Sequence, residues 1–377
     1  MKAFVFTDKA LARRTGQFVW LAIDTEKAVN APFLAKFPVQ VWPSFYVLDP
    51  ASETVALRWV GGATVPQLQK ILDDGQAAVG GRGRASEQVL ARADRLYGEG
   101  KNKEAAEAYR EALANAPRAW PRYARTVESL LFALQVSHEN EACARTAREA
   151  FERLRKTSSA ANVASSGLNC ALGLPAENPE RKDLVAALEE DAREALAETD
   201  VPIAADDRSS VYISLLDVRE DAKDEEGKKR VASEWASFLE AEAAKAKTPE
   251  ARAVFDSHRL SAYLALQQPE RAISMLEASE RDLPDDYNPP ARLAAAYKAM
   301  RRYDDALAAS DRAVAKAYGP RKLLILQTRA DIYTARGDAA AARRTLEEAL
   351  RTAESFAPGQ RSEGTIAAIK KKLEAMP

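Results

Sequence analysis

The chain has 377 residues and a formal net charge of −1, from 55 Lys and Arg against 56 Asp and Glu. This balance removes the bulk electrostatic argument for nucleic-acid binding. Two cysteines rule out a disulfide-dense scaffold and two histidines rule out a His-rich metal site. No apolar run reaches the roughly 18 residues of a membrane helix. We therefore predict no nucleic-acid partner, no membrane span, no metal and no cofactor.

The first part of the chain predicts a small domain of strands and helices. Short runs of β-branched and aromatic residues, bounded by Asp, Pro or Gly, predict strands at residues 18–23, 44–48 and 54–60. A helix-sized segment, residues 28–36, separates the first two runs. A further helix is predicted at residues 65–72, where Pro66 suits the first turn. Residues 2–11 precede these elements as a helical segment.

A Gly- and Arg-rich stretch at residues 79–86 is the predicted linker, because glycine interrupts regular structure. Strong helix formers dominate the remainder, and turn signals recur every 12 to 20 residues. The predicted domains are therefore residues 1–78, the linker at 79–86, and an all-helical region at 87–377.

The helical region contains an internal repeat of about 34 residues. Small residues recur at one spacing in four copies, at residues 87–117, 254–284, 288–318 and 324–354. In the last three copies a tyrosine lies the same number of residues before the first of these small residues. The pairs are Tyr263 with Ala272, Tyr297 with Ala306, and Tyr333 with Ala342. The pattern resembles the tetratricopeptide repeat, a helix-turn-helix unit. Degenerate copies are expected between residues 120 and 250, and a capping helix with a solvent-facing Lys370–372 run at residues 362–376.

The repeat resemblance implies a groove that binds protein or extended peptide partners. The inner-face positions do not reproduce the two-carboxylate clamp of some family members. Five residues remain candidates to line a groove: Tyr97, Arg122, Tyr123, Lys298 and Asp331. The alternative is that this face is solvated or packed against itself.

Residues 1–78 resemble the later two-thirds of a thioredoxin fold. The resemblance rests on the sequence FPVQVWPSFYVLD at residues 37–49, which is followed by a predicted strand, two glycines and a predicted helix. The resemblance implies a cis peptide bond before Pro43. It also implies that an extended peptide binds beside Trp42, Pro43 and Ser44.

The sequence lacks the residues that perform thiol-disulfide exchange in that family. It has no C-x-x-C motif and no cysteine before Cys143, so dithiol exchange has no nucleophile here and no catalytic residue is assigned. The central strand of the family is also missing. Either the true start lies upstream, or the domain closes the gap by pairing residues 18–23 with 44–48 or by borrowing a strand from a partner.

The predicted fold class is thus an incomplete thioredoxin-like α/β domain followed by an all-α helical-hairpin solenoid. The predicted function is a protein-interaction scaffold with a redox-inactive thioredoxin-like module. The alternative is a thiol-disulfide oxidoreductase whose C-x-x-C lies upstream, and whose repeats select the substrate. Cys143 and Cys170 are interpreted as small buried residues, not as a redox pair. The chain is expected to be cytoplasmic as written, or periplasmic or exported if its start is upstream.

Overall fold

The computed structural model describes residues 5–39, 41–80 and 85–376. The elements before residue 80 are 3-10 helices at Lys9–Arg14 and Ala28–Asn30, α1 at Ala31–Lys36, β1 at Ser44–Asp49, β2 at Thr54–Val60 and α2 at Val65–Val79. The strands predicted at 44–48 and 54–60 and the helix at 65–72 are confirmed. Thr64 caps α2 through a reciprocal pair of hydrogen bonds with Gln67, which satisfies free N–H groups of the first turn.

The two strands form an antiparallel hairpin that lies close to two helices. Ser44 pairs with Val60, at the start of β1 and the end of β2. A Cβ atom at Gly75 in α2 would lie 2.6 Å from a methyl carbon of Val47. A Cβ atom at Gly98, the last residue of the next helix, would lie equally close to Val55. The absence of a side chain at these glycines therefore sets how closely the hairpin packs.

The prediction of a strand at residues 18–23 is wrong, since this segment has no regular secondary structure. Val19 and Leu21 are 89% and 71% exposed. A β-branched, apolar run becomes a strand only when a neighbouring strand takes its backbone hydrogen bonds. The sheet in the described part of the chain consists of β1 and β2. Direct pairing of residues 18–23 with 44–48 is therefore not formed.

Helices make up the remainder. The first eight are α3 (Ala85–Gly98), α4 (Asn102–Ala114), α5 (Tyr123–Val136), α6 (Asn140–Leu154), α7 (Ala160–Leu172), α8 (Arg181–Ala197), α9 (Ala205–Asp221) and α10 (Glu225–Ala244). The others are α11 (Pro249–Ala253), α12 (Asp256–Ala265), a 3-10 turn (Pro269–Ala272), α13 (Ile273–Asp282), α14 (Asn288–Ala299), α15 (Tyr303–Lys316), α16 (Arg321–Arg336), α17 (Ala339–Glu354) and α18 (Glu363–Glu374). Of the predicted linker, Val79 ends α2 and Ala85 begins α3, while residues 81–84 lie outside the described residues.

The four predicted repeat copies are helical hairpins, in which α3 packs on α4, α12 on the segment before α13, α14 on α15, and α16 on α17. Helix pairs continue between residues 120 and 250, as expected for degenerate copies. The small residues of the repeat spacing are fully buried, namely Ala105, Ala272, Ala306 and Ala342. Small side chains at these positions let the paired helices approach closely. The chain therefore contains an array of helical hairpins.

The described chain divides into two compact units. Unit one comprises Met1–Gln17 and Val39–Val231, and unit two comprises Phe18–Pro38 and Ala232–Pro377. This division differs from the sequence-based one, which groups residues 1–78 together. Within unit two, Gln360 Nε2 donates a 2.8 Å hydrogen bond to the carbonyl oxygen of Thr25, and Tyr318 Oη donates to a carboxylate oxygen of Asp24 at 2.9 Å. These bonds connect the N-terminal segment of unit two to its last helices.

The two cysteines are buried, as predicted, but they are bonded to each other. Cys143 in α6 and Cys170 in α7 form a disulfide with an S–S distance of 2.07 Å. The interpretation of two independent buried thiols is therefore corrected. The packing of α6 on α7 brings their Cα atoms to 5.9 Å, within the range that a disulfide requires. The sequence separation of 27 residues did not reveal this contact.

The C-terminal helix closes the core of unit two. Ile366 and Ile369 of α18 are buried in a cluster with Leu326 and Leu346. Lys370–372 are exposed, as expected for the outer face of a capping helix. The exposure of the lysine run agrees with the prediction, and the capping role of α18 stays a prediction.

Candidate functional site

The first candidate site is the turn that precedes β1. The peptide bond between Trp42 and Pro43 is cis, as predicted from the family resemblance. The backbone N–H of Gly61 donates to the carbonyl oxygen of Pro43 at 2.9 Å, and Ser44 Oγ donates to the carbonyl oxygen of Val41 at 2.7 Å. Trp42 is 57% exposed. Hydrogen bonds thus hold the turn to the end of β2, and the turn presents the Trp42 indole at the surface. The role of Trp42, Pro43 and Ser44 in peptide binding stays a prediction.

Tyr97 lies in the core of unit one rather than on a surface. Its side chain is 1% exposed, and the guanidinium of Arg58 lies 3.8 Å from the centre of its ring. Arg58 Nη1 also donates to the carbonyl oxygen of Tyr97 at 2.6 Å. Burial raises the pKa of the Tyr97 hydroxyl to about 12. With this little exposure, the side chain offers no surface to a partner.

Arg122 belongs to a network of charges between α2, α3 and α5. Arg122 Nε contacts a carboxylate oxygen of Asp74 at 2.9 Å, and its Nη1 contacts Glu87. One turn later Arg125 Nη1 donates to Asp94 at 2.9 Å, and Tyr109 Oη donates to the same carboxylate at 2.7 Å. Burial raises the pKa of Asp94, and Arg125 and Tyr109 partly offset this effect. The network ties the first repeat to α2.

The remaining repeat-face candidates lie in different units. Tyr123, in unit one, carries the guanidinium of Arg153 over its ring at 3.5 Å. Lys298 and Asp331 belong to unit two, where Lys298 is half-buried. A carboxylate oxygen of Asp331 contacts Lys372 Nζ at 3.3 Å. Asp331 is thus paired with the capping helix, and partner contact by Tyr123, Lys298 or Asp331 stays a prediction.

Unit one contains a cavity of about 360 Å³ that the sequence did not reveal; we call it the α2–α5 cavity. Its lining comes from β2, α2, the turn before α5, α5, and the end of α6 with the residues after it: Trp59, Gln67, Lys70, Ile71, Asp74, Trp120, Pro121, Tyr123, Ala124, Arg125, Glu128, Arg153, Leu154, Thr157, Ser158 and Ser159. Aromatic side chains and cations thus meet in one concave region.

The cations at the exposed side of the cavity interact with main-chain oxygens. Lys70 Nζ donates to the carbonyl oxygen of Pro121, and Arg153 Nη2 donates to that of Arg118. Among the described residues, neither cation has a carboxylate within ion-pair distance. Trp59 Nε1 donates to the carbonyl oxygen of Gly62 at 3.0 Å, whereas the buried Trp120 Nε1 has no acceptor in the described chain.

One carboxyl group lies at the buried side of this cavity. Glu128 accepts a 2.9 Å hydrogen bond from Asn162 Nδ2 and another from Ser159 Oγ. Burial raises the pKa of Glu128 to about 7, although both hydrogen bonds act in the opposite direction. Asp207 is a second buried carboxyl nearby, and its pKa is raised well above its ordinary value by burial and then by the charge of Glu128. No periodic pattern in the sequence singles out these two residues, because their proximity depends on how α5 and α9 each pack on α7.

Comparisons with known proteins give only distant likenesses. No protein-family model and no curated protein matches the chain. Among solved structures it is similar to a tetratricopeptide repeat protein from Parabacteroides merdae, with 13% identity, a TM-score of 0.46, and coverage of 78% of this chain and 98% of that one. It is also similar to the TPR2AB domain of yeast Sti1 in a complex with pHSP90, with 15% identity, a TM-score of 0.27, and coverage of 77% and 97%. At these TM-scores the likenesses carry no argument about function.

Two classes of site are not seen in the described chain. In residues 5–39, 41–80 and 85–376, His, Cys, Asp and Glu side chains do not form a group of three or more that could hold a metal ion. In the same residues, no helix has both the length and the apolar character needed to cross a bilayer.

Proposed function

We propose that this protein is an interaction scaffold whose helical hairpins bind protein or peptide partners. The observation that carries the proposal is the succession of helical hairpins from α3 to α17, each built around buried small residues. Within each unit, stacked hairpins would expose many side chains along an extended surface, which is how helical repeats bind partners. In this proposal, half-buried groups such as Lys298 would provide polar contacts to the partner.

The finer part of the proposal concerns residues 1–78 as a redox-inactive, thioredoxin-like module. The order of β1, β2 and α2 along the chain agrees with it. The exposed indole of Trp42 would then contact the side chains of an extended peptide beside the turn. The one cysteine pair of the sequence is buried as a disulfide, which argues against thiol exchange with a substrate at that pair.

Site-specific photo-crosslinking in the source cells tests the scaffold. A photoreactive residue replaces Trp42 in one variant and Lys298 in another, and Lys229 in a control variant. Lys229 is exposed on α10 and is paired with Glu226 at 3.0 Å. We expect the same protein partners to be crosslinked reproducibly from position 298 but not from 229. Equal products from both positions would contradict binding at the repeat surface, and loss of products from position 42 alone would contradict only the peptide role of the N-terminal module.

We also propose that the protein works in an oxidising compartment, in line with the exported form allowed above. A disulfide between buried cysteines is typical of such compartments and is rare in a reducing cytosol. Rapid acid quenching of intact cells, followed by alkylation under denaturing conditions and mass spectrometry, tests this. We expect unmodified Cys143 and Cys170 without reductant, and complete modification of both after denaturation with reductant. Modification of both without reductant would contradict the proposal.

A further inference from the structure

We propose that the α2–α5 cavity binds a small organic anion, a carboxylate or phosphate group attached to a flat apolar ring. This site goes beyond the scaffold function and does not depend on it. Its volume of about 360 Å³ is at the lower end of the range for small-molecule pockets, which suits one or two fused rings with one acidic group.

The charges favour an anion. The cations Lys70 and Arg153 are fixed by main-chain carbonyl oxygens, and neither is neutralised by a carboxylate in the described chain. The lining also contains Asp74, whose carboxylate is already paired with Arg122 at 2.9 Å. An anionic oxygen placed between the two cations would therefore gain charge-assisted hydrogen bonds without displacing an existing ion pair.

The carboxyl at the buried side does not cancel this positive charge. Glu128 is enclosed by its hydrogen bonds with Ser159 and Asn162. Burial keeps its pKa near 7, so this group is only partly ionised at neutral pH. The charged rim of the cavity thus remains positive.

The walls favour a flat apolar body. Trp59 and Trp120 are each 4% exposed and line the cavity together with Tyr123. An aromatic lining of this kind suits an aromatic ligand. The unpaired Trp120 Nε1 is a second, independent indication of a ligand, because a buried indole N–H normally has an acceptor. An oxygen of the ligand would supply it.

Binding of benzoate and phenyl phosphate, measured by isothermal titration calorimetry on the full chain, tests the proposal. Benzamide serves as the neutral probe of equal shape, and inorganic phosphate as the anion without a ring. We expect saturable binding of benzoate or phenyl phosphate, at least about tenfold weaker binding of benzamide, and weaker binding of inorganic phosphate. The affinity for the anion should also fall with rising salt, because ionic screening weakens charge pairing.

The variants Lys70→Gln and Arg153→Gln locate the binding. Each should weaken binding of the anion by about tenfold, the typical value of one charge-assisted hydrogen bond. Arg302→Gln is the matched control, since Arg302 also lies over a tyrosine ring, that of Tyr297 at 4.6 Å, but belongs to unit two. It should bind like the wild type.

Three results would overturn the proposal: no saturable binding of either aromatic anion, equal affinity for benzamide and benzoate, or unchanged affinity in both Lys70→Gln and Arg153→Gln. The salt and benzamide measurements use only the wild-type chain, so the test holds even if one variant fails to fold. The crosslinking pattern from position 298 is independent of these outcomes.

Discussion

At the scale of single residues, the most unusual groups are the buried carboxyls Glu128 and Asp207. Both lie in unit one, and both have a raised pKa because burial disfavours the charged form. The hydrogen bonds from Ser159 and Asn162 only partly compensate Glu128 for its lost hydration. A carboxyl in this situation connects the stability of the fold to pH.

We predict that the contribution of Glu128 to the free energy of unfolding decreases as the pH rises. The folded-state pKa of Glu128 is about 7 against an ordinary value of 4.5, so between these values the folded protein holds a proton that the unfolded chain has released. The contribution of Glu128 to stability is therefore greatest below about pH 4.5 and falls until about pH 7, by about 3 kcal/mol. Glu128→Gln carries no such proton. Its free energy of unfolding in urea should fall less between pH 5 and pH 8 than that of the wild type.

The control for this prediction is Glu107→Gln, which changes an exposed carboxyl on α4. We expect it to keep the pH dependence of the wild type. If Glu128→Gln and the wild type lose the same free energy of unfolding between pH 5 and pH 8, Glu128 is not the group responsible.

At the scale of elements, two close contacts decide how neighbouring elements of unit one fit together. The first is Gly98 in α3, whose substitution by Ala would place a Cβ atom 2.6 Å from Val55 in β2. Replacing a glycine in a helix usually stabilises it, by about 0.5 to 1 kcal/mol. The steric conflict with β2 should outweigh this gain.

We expect Gly98→Ala to lower the free energy of unfolding by about 1 to 3 kcal/mol, the usual cost of overpacking. The double variant Gly98→Ala with Val55→Ala should recover part of this loss, because the conflicting methyl groups are gone. Gly364→Ala in α18 is the control, since its Cβ atom would meet only Ser362 Oγ at 3.9 Å. A Gly98→Ala variant as stable as the wild type would show that the hairpin can move away from α3 at little cost.

The second contact is the disulfide that connects α6 to α7. Closing 27 residues of sequence separation reduces the freedom of the unfolded chain and should stabilise the fold by about 3 to 4 kcal/mol. We expect the double variant Cys143→Ala with Cys170→Ala to lose stability of this order in urea. Reductant should destabilise the wild type but not the variant. An equal effect of reductant on both would contradict the disulfide.

At the scale of the whole molecule, the chain has two compact units with their own cores. The core of unit two includes Leu326, Leu346 and Ile369, contributed by α16, α17 and α18. Hairpins connect to one another in sequence order; for example, Tyr263 Oη in α12 donates to Glu240 in α10 at 2.6 Å, and Tyr297 Oη in α14 donates to Glu277 in α13 at 3.3 Å. In such arrays stability is mainly a sum of local terms.

We therefore predict that a core variant destabilises its own unit more than the other. Leu346→Ala should cost about 2 to 5 kcal/mol by leaving a cavity in unit two. Hydrogen exchange of backbone amides should accelerate mainly between residues 288 and 376, while Gly98→Ala should accelerate it mainly between residues 39 and 136. Equal acceleration in both units by either variant would indicate a single cooperative unit.

Local patterns allowed most of the helical fold to be predicted from the sequence. The spacing of Ala272, Ala306 and Ala342 identified the repeated hairpins, because small residues at a helix crossing are a local requirement. The strands β1 and β2 were also predicted, since turn residues and short apolar runs mark them, whereas the cis bond before Pro43 was implied only by the family resemblance. The strand expected at residues 18–23 failed because a strand depends on a neighbour that the sequence pattern cannot supply.

The sequence by itself thus determined the hairpin repeats, the two strands and the lack of a C-x-x-C motif, all of which depend on residues close together in the chain. Only the tertiary structure decided the burial of Tyr97, the bond between Cys143 and Cys170, and the cavity between α2 and α5. Each of these brings together residues from separate elements, and their distances depend on how those elements pack. Local propensity carries no information about such packing, which is why the candidate ligand site was found only in three dimensions.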